Sequence, residues 1–245
     1  MEIIYIIVIF ILSGLALELT GFGVATVSMS LLLLFLDPLL VIPLVAIAAL
    51  VATGFLAWRI KEKKTLKRIR PLFVGVIFSV PLGILLLSYI NQDLLKLFIG
   101  IFFIAYSIYG LFFSKFKLLL FNKNKTTSAI IGFFAGFFNS TVNIDGPLVA
   151  LYESSDIKKN TNEYKDAIAT YMFLTGILTV TGHVLTGRIT KELIFLLPYV
   201  IPSLILGIFI GYRLFSKING ASLKKIIYFF VLFSGLIIFI KFLIF

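Results

Sequence analysis

Apolar runs of roughly twenty residues recur along nearly the whole chain, and a run of that length crosses a bilayer core as a single α-helix. Residues 37–58, 71–89, 94–113, 167–186, 193–215 and 223–245 read as such spans. The chain is 60% hydrophobic and 13% charged. Soluble domains are about half apolar and about a quarter charged, so this chain is an all-α polytopic membrane protein. No polar stretch is long enough to hold a soluble domain. The net charge of +11 sits in short segments between apolar runs, as membrane topology requires, and so gives no argument for a nucleic-acid partner. Residues 1–12 lack a basic leader region and a small-residue cleavage site and read as the start of the first membrane segment.

Two stretches break the pattern. Residues 132–152, GFFAGFFNSTVNIDGPLVALY, are apolar at both ends, with Asn139, Ser140, Thr141, Asn143, Asp145, Gly146 and Pro147 at the centre. Asn, Ser, Thr and Asp compete for backbone hydrogen bonds, and Gly-Pro interrupts a helix. Residues 3–36 are too long for one span and short for two, and contain their own break, Glu18-Leu19-Thr20-Gly21-Phe22-Gly23. Irregular backbone at membrane depth must be buried in protein or line a watery cavity. Discontinuous helices of this kind form the binding sites of secondary transporters. The competing reading is a polar loop outside the membrane.

Charge sets the expected orientation. Between residues 59 and 70, seven basic residues oppose the single acid Glu62, and Lys115, Lys117, Lys123 and Lys125 fall in 114–127. Both loops are expected on the cytoplasmic side of a cell membrane, with the cation-free turn Asn91-Gln92-Asp93 outside. The chain also resembles itself. Gly83/Gly211, Ser88/Ser216, Ile90/Ile218, Asn91/Asn219, Leu95/Leu223 and Lys96/Lys224 match at one offset, at which Thr53-Gly54 falls on Thr181-Gly182. Two halves are expected, about 1–117 and 118–245. If each broken segment re-enters, the turn with Arg213, Lys217, Lys224 and Lys225 becomes cytoplasmic and the halves become inverted repeats.

Glu18 and Asp145 are the acids embedded in apolar sequence, one per half, and are expected as approximate counterparts. A carboxylate at such a break either carries a coupling proton or helps hold Na⁺; at the membrane surface it would merely cap a helix. Thr20, Gly21, Gly23, Thr26, Asn139, Ser140, Thr141, Asn143 and Gly146 are candidate contacts for a small anion. Free N–H groups at a half-helix N-terminus offer anion donors without a buried cation; small residues of this kind also serve close helix packing. Tyr171, Thr175, Thr179 and His183 recur every fourth residue, which puts them on one helical face as a candidate pathway lining. There is no cysteine and a single histidine, which removes thiolate and multi-His metal sites. No cofactor motif and no catalytic constellation appears. A channel and an intramembrane enzyme remain as the other function classes, and the oligomeric state is open.

Gly132-x-x-x-Gly136 followed by Asp145-Gly146-Pro147-Leu148-Val149, together with two related halves each opened by a glycine-rich break, resembles the TauE/SafE family of membrane transporters, the sulfite exporter or toluenesulfonate uptake permease family. Asp145 stands where the family pattern has a glycine before Gly-Pro, and Gly21-Phe22-Gly23-Val24-Ala25 stands for its run of three glycines and a following proline. The resemblance implies transport of sulfite, sulfonates, sulfoacetate or related carboxylates; with no nucleotide-binding motif in the sequence, an ion gradient or the substrate's own gradient is the expected drive.

Overall fold

A computed structural model describes residues 2–21, 23–60, 65–113, 124–154, 161–214 and 220–244. Among them the chain forms ten α-helices and no strand. They are α1 (Glu2–Thr20), α2 (Gly23–Leu32), α3 (Pro38–Ile60), α4 (Thr65–Tyr89), α5 (Gln92–Ile108), α6 (Lys125–Val142), α7 (Gly146–Ser154), α8 (Thr161–Leu185), α9 (Lys191–Leu214) and α10 (Gly220–Ile244), with a π-turn at Tyr109–Phe113 extending α5. Six are long and apolar enough to cross a membrane: α3, α4, α5 with its π-turn, α8, α9 and α10. The chain is a multi-pass membrane protein.

The spans begin earlier than hydropathy predicts. Residues 65–70 are the first turns of α4, and 161–165 open α8; a charged turn at a span's end satisfies its own backbone whatever its hydropathy. Residues 61–64, 114–123, 155–160 and 215–219 lie outside the described residues, and with them most of the 114–127 loop and Lys217.

Both broken segments are helical hairpins. α1 closes on Gly21 (φ 88°), whose N–H donates to the Leu17 carbonyl at 2.7 Å. α6 closes on Asn143 (φ 56°), whose N–H donates to the Asn139 carbonyl at 2.8 Å, and Ile144 N–H reaches back to Phe138 at 3.3 Å. Gly and Asn tolerate the left-handed backbone that ends a helix in this way. After each break the chain doubles back. The ring of Phe35, beyond α2, lies 6.3 Å from that of Tyr5 at the start of α1. The Tyr152 hydroxyl of α7 meets Ser128 of early α6 at 2.7 Å.

The hairpins pack on the other half of the chain, α1 on α9 and α6 on α4, while α3 packs on α8 and α5 on α10. Lipid is as apolar as the helix surfaces, so helices gain by close backbone approach over small residues. Gly132 rests on the Leu72 carbonyl and Gly75 on Ala129 and Phe133; correspondingly, Gly207 rests on the Ile11 carbonyl and Gly14 on Leu204. The correspondence extends further. Gly136 meets Ser79 and Val76, and Gly211 meets Glu18 and Leu15. Gly54 meets Phe173 while Gly176 meets Leu50, so α3 and α8 cross antiparallel.

These contacts correct two expectations. Packing pairs Glu18, which meets Gly211, with Gly136, which meets Ser79, and not with Asp145: Glu18 lies within its helix before the break and Asp145 lies after one. Gly54 corresponds to Gly176, not Gly182, which sits against Ile84. One offset cannot serve both regions: packing matches Gly211 with Ser79, not with Gly83, and the chain from Gly176 to Gly211 is longer than that from Gly54 to Ser79.

Candidate substrate and coupling site

The break between α6 and α7 collects the polar residues. Asp145 precedes the first residue of α7, and its carbonyl accepts from Leu148 N–H at 3.1 Å and Val149 N–H at 3.2 Å. Its side chain is wholly buried. Oδ2 accepts from Asn139 Nδ2 at 2.7 Å, and Oδ1 has no hydrogen-bond partner among the described residues. Asn139 is fixed from its other side, since Thr179 Oγ1 donates to its Oδ1 at 2.8 Å. A Thr179–Asn139–Asp145 relay therefore ties α8 to the break. Asn143, in its left-handed turn, donates to the Ile42 carbonyl of α3 at 2.8 Å. A void of about 10 Å³ lies beside Asn139 and Asn143 where Thr53 and Leu50 of α3 meet Met172 and Gly176 of α8.

The polar face of α8 divides by role. Thr179 joins the relay. Tyr171 is buried with its hydroxyl unpartnered among the described residues, in the electrostatic field of Asp145 and with its ring 5.6 Å from Phe73. Thr175 donates to the Tyr171 carbonyl of its own helix at 2.8 Å. His183 is buried with both ring nitrogens unpartnered among the described residues. Arg188, just beyond α8, braces this end against α4: it donates to Ser88 Oγ at 2.7 Å and to the Ile84 carbonyl at 3.1 Å. Burial lowers the Arg188 guanidinium from its ordinary range.

Ser140 does not join the relay; it faces Gly83 of α4 and donates to the Phe137 carbonyl at 3.1 Å. Thr141 likewise donates to that carbonyl at 2.8 Å. Gly146 is buried as the first residue of α7. The first break is built separately. Its helices pack on α9, α3 and α10, while those of the second pack on α4 and α8. There Gly21 has open space around its Cα and Gly23 rests on Ala16. Thr20 ends α1, and its side chain lies outside the described residues.

Glu18 carries a counter-ion. Arg59, at the end of α3, donates to both carboxylate oxygens at 2.7 and 2.8 Å, and its guanidinium lies 5.1 Å from the Tyr212 ring centroid. Lys165 reaches the Glu18 carbonyl at 3.4 Å. Arg59 escapes a sequence reading because it is the first cation of a basic loop, and nothing local marks one of seven as buried against an acid forty-one residues earlier. Nearby, Arg68 pairs with Glu163 at 2.9 Å and Thr65 bonds Asp166. A larger recess of about 550 Å³ lies away from both breaks, between the α2–α3 turn, the start of α5 and the end of α10. Among the described residues no group of His, Cys, Asp and Glu could hold a metal ion.

The model of the family described as sulfite exporter TauE/SafE matches residues 6–238. The chain belongs to the TauE/SafE family. The match runs from the second turn of α1 to near the end of α10, and the family is one of membrane transporters, not enzymes. Its members act on small anions. The chain matches no curated protein and no solved structure.

Proposed function

We propose that this protein is a secondary carrier of small sulfur-containing anions, such as sulfite, sulfonates and sulfoacetate, or of related organic anions, and that Asp145 couples their movement to an ion gradient. The observation that carries the reading is the Asp145 carboxyl: buried at a helix break, held on one oxygen by Asn139, and without a partner on the other among the described residues. A buried acid at a break is a functional residue by default. The family name supplies the sulfur anion.

In this reading Asn139, Asn143 and Gly146 contact the substrate, with Ser140 at the α4 side, and Thr20, Gly21 and Gly23 serve the equivalent break. Tyr171, Thr175, Thr179 and His183 line the path. Glu18, matched by Arg59, is the secondary coupling acid. The halves 1–117 and 118–245 are inverted repeats, which the antiparallel α3–α8 crossing and the reciprocal glycine contacts support. Two spans, α4 and α5, separate the basic segments 59–70 and 114–127, which supports both on the cytoplasmic side of the cell membrane, and the doubling back of both hairpins supports the turn with Arg213 on that side too. With alternating access, the tight α3–α8 crossing must loosen for an anion to pass, which distinguishes a carrier from a channel with a standing pore.

The test is uptake of labelled sulfite and a small sulfonate into proteoliposomes, with and without an inward proton gradient. Saturable flux driven uphill by the gradient in the native protein, and lost in a folded Asp145→Asn variant, is expected. Native-like uphill flux in that variant would remove Asp145 from coupling. Flux that responds to Na⁺ alone would change the ion.

A further inference from the structure

Asp145 occupies the end of α7 where an incoming anion would find donors. Its carboxylate lies at the N-terminus of a nine-residue helix, within electrostatic reach of the N–H groups of Asp145 and Gly146. A helix N-terminus favours a negative group through its free N–H donors and dipole. Among the described residues Oδ1 has no donor, and the void beside Asn139 and Asn143 holds only about 10 Å³. Among the described residues no cation balances the carboxylate here, unlike Glu18, which Arg59 neutralises. Two negative groups at one helix end, buried and without a counter-ion, repel each other strongly.

Resting on the carrier reading above, we infer that Asp145 is a tethered competitor for the anion site: a substrate anion binds at the α7 N-terminus only when a proton neutralises Asp145, so one proton travels with each anion. The proton bonds to Oδ1, the free oxygen, while Oδ2 keeps the Asn139 bond. The neutral acid then gives up its hold on the helix end, and the anion takes the charge position it leaves. Coupling at this break follows from charge balance at one point.

The ionisable groups on the elements around the break are few. α8 contributes Tyr171 and His183 beyond its first two turns, and α7 contributes Tyr152 and Glu153. The only charged residues of α6 and α4 lie in their first two turns, and α3 has only Arg59 at its far end. Of these groups, Tyr171 feels the Asp145 charge.

The sign is fixed by this arrangement. Raising the pH removes the proton, restores the internal anion and weakens substrate binding. One linked proton gives a loss of about tenfold in affinity per pH unit on the alkaline side. The probe is labelled methanesulfonate, whose charge is constant across the range, bound to the full-length protein in lipid nanodiscs between pH 5 and 9. The native protein, Tyr171→Phe and His183→Gln are expected to show that slope, and Asp145→Asn to bind with no pH dependence. Independently of any variant, the native protein in weak buffer should take up one proton per methanesulfonate bound, read with a pH indicator. The same slope in Asp145→Asn, binding without proton uptake, or binding that follows Na⁺ instead of pH overturns the competition and leaves the carrier standing. No methanesulfonate binding by the native protein at any pH rejects the proposal together with the anion site at this break.

Discussion

Single side chains decide how each break is held. Arg59 is partly buried and the Glu18 carboxylate almost wholly so, with side-chain exposures of 28% and 4%. Removing one partner of such a pair strands the other, at a cost of about 3–5 kcal/mol, whereas removing both is far milder. Arg59→Met should therefore lower the thermal unfolding midpoint in detergent markedly, and Glu18→Gln combined with Arg59→Met should recover most of the loss. Equal loss in both proteins would show that the bridge is not what Arg59 supplies. Asn143 makes a second case. Its left-handed backbone costs a branched residue about 1–2 kcal/mol, and its bond to the Ile42 carbonyl adds about 1 kcal/mol. Asn143→Val should lose both, and Asn143→Gly only the second, as read from the same melts. Within the relay, Thr179→Val removes the donor that orients Asn139; transport should fall roughly 5- to 150-fold, the equivalent of about 1–3 kcal/mol, while the fold persists.

At the level of helices, the contacts that matter are backbone against backbone. A Cβ at Gly132 would strike the Leu72 carbonyl, and one at Gly207 the Ile11 carbonyl. Overpacking of this kind costs about 1–3 kcal/mol and more where the obstacle is main chain. Gly132→Leu and Gly207→Leu should each reduce the yield of monodisperse protein, whereas Gly187→Ala, with open space and only its positive φ to strain it, should keep far more. Similar yields for all three would refute the close-approach account. The elements themselves were legible in sequence: the six spans by their apolar length, both breaks by their glycines and polar clusters. The α8 stripe was legible as a face, because spacing fixes sides of a helix. What that face meets was not, since Thr179 finds Asn139 forty residues earlier and Ser140 turns instead to Gly83. Local pattern carries period and interruption, and is blind to which neighbour fills the other side. The mistaken pairing of Glu18 with Asp145 came from the same blindness: each lies beside a glycine, yet on opposite sides of its break.

For the whole molecule, the two hairpins and six spans give a definite sidedness. The chain has no cysteine, so a single introduced thiol reports its own side. Asn91→Cys at the α4–α5 turn should react with an impermeant maleimide on intact cells, and Thr127→Cys at the start of α6 only after permeabilisation. Labelling of both from outside would overturn the topology.

The exchange of partners between halves also bears on how the protein is made. Gly14 finds its place against Leu204, a residue translated long after the first hairpin has left the ribosome. At roughly 5–20 residues per second, that hairpin waits on the order of 10–40 s with its close-packing face unmatched. Its polar turn, with Glu18, cannot idle in lipid for that time. Arg59 emerges much sooner, and the ion pair it makes gives the waiting hairpin a partner within its own half. The bridge thus serves biogenesis as well as the finished protein, holding the first hairpin against α3 until α9 arrives.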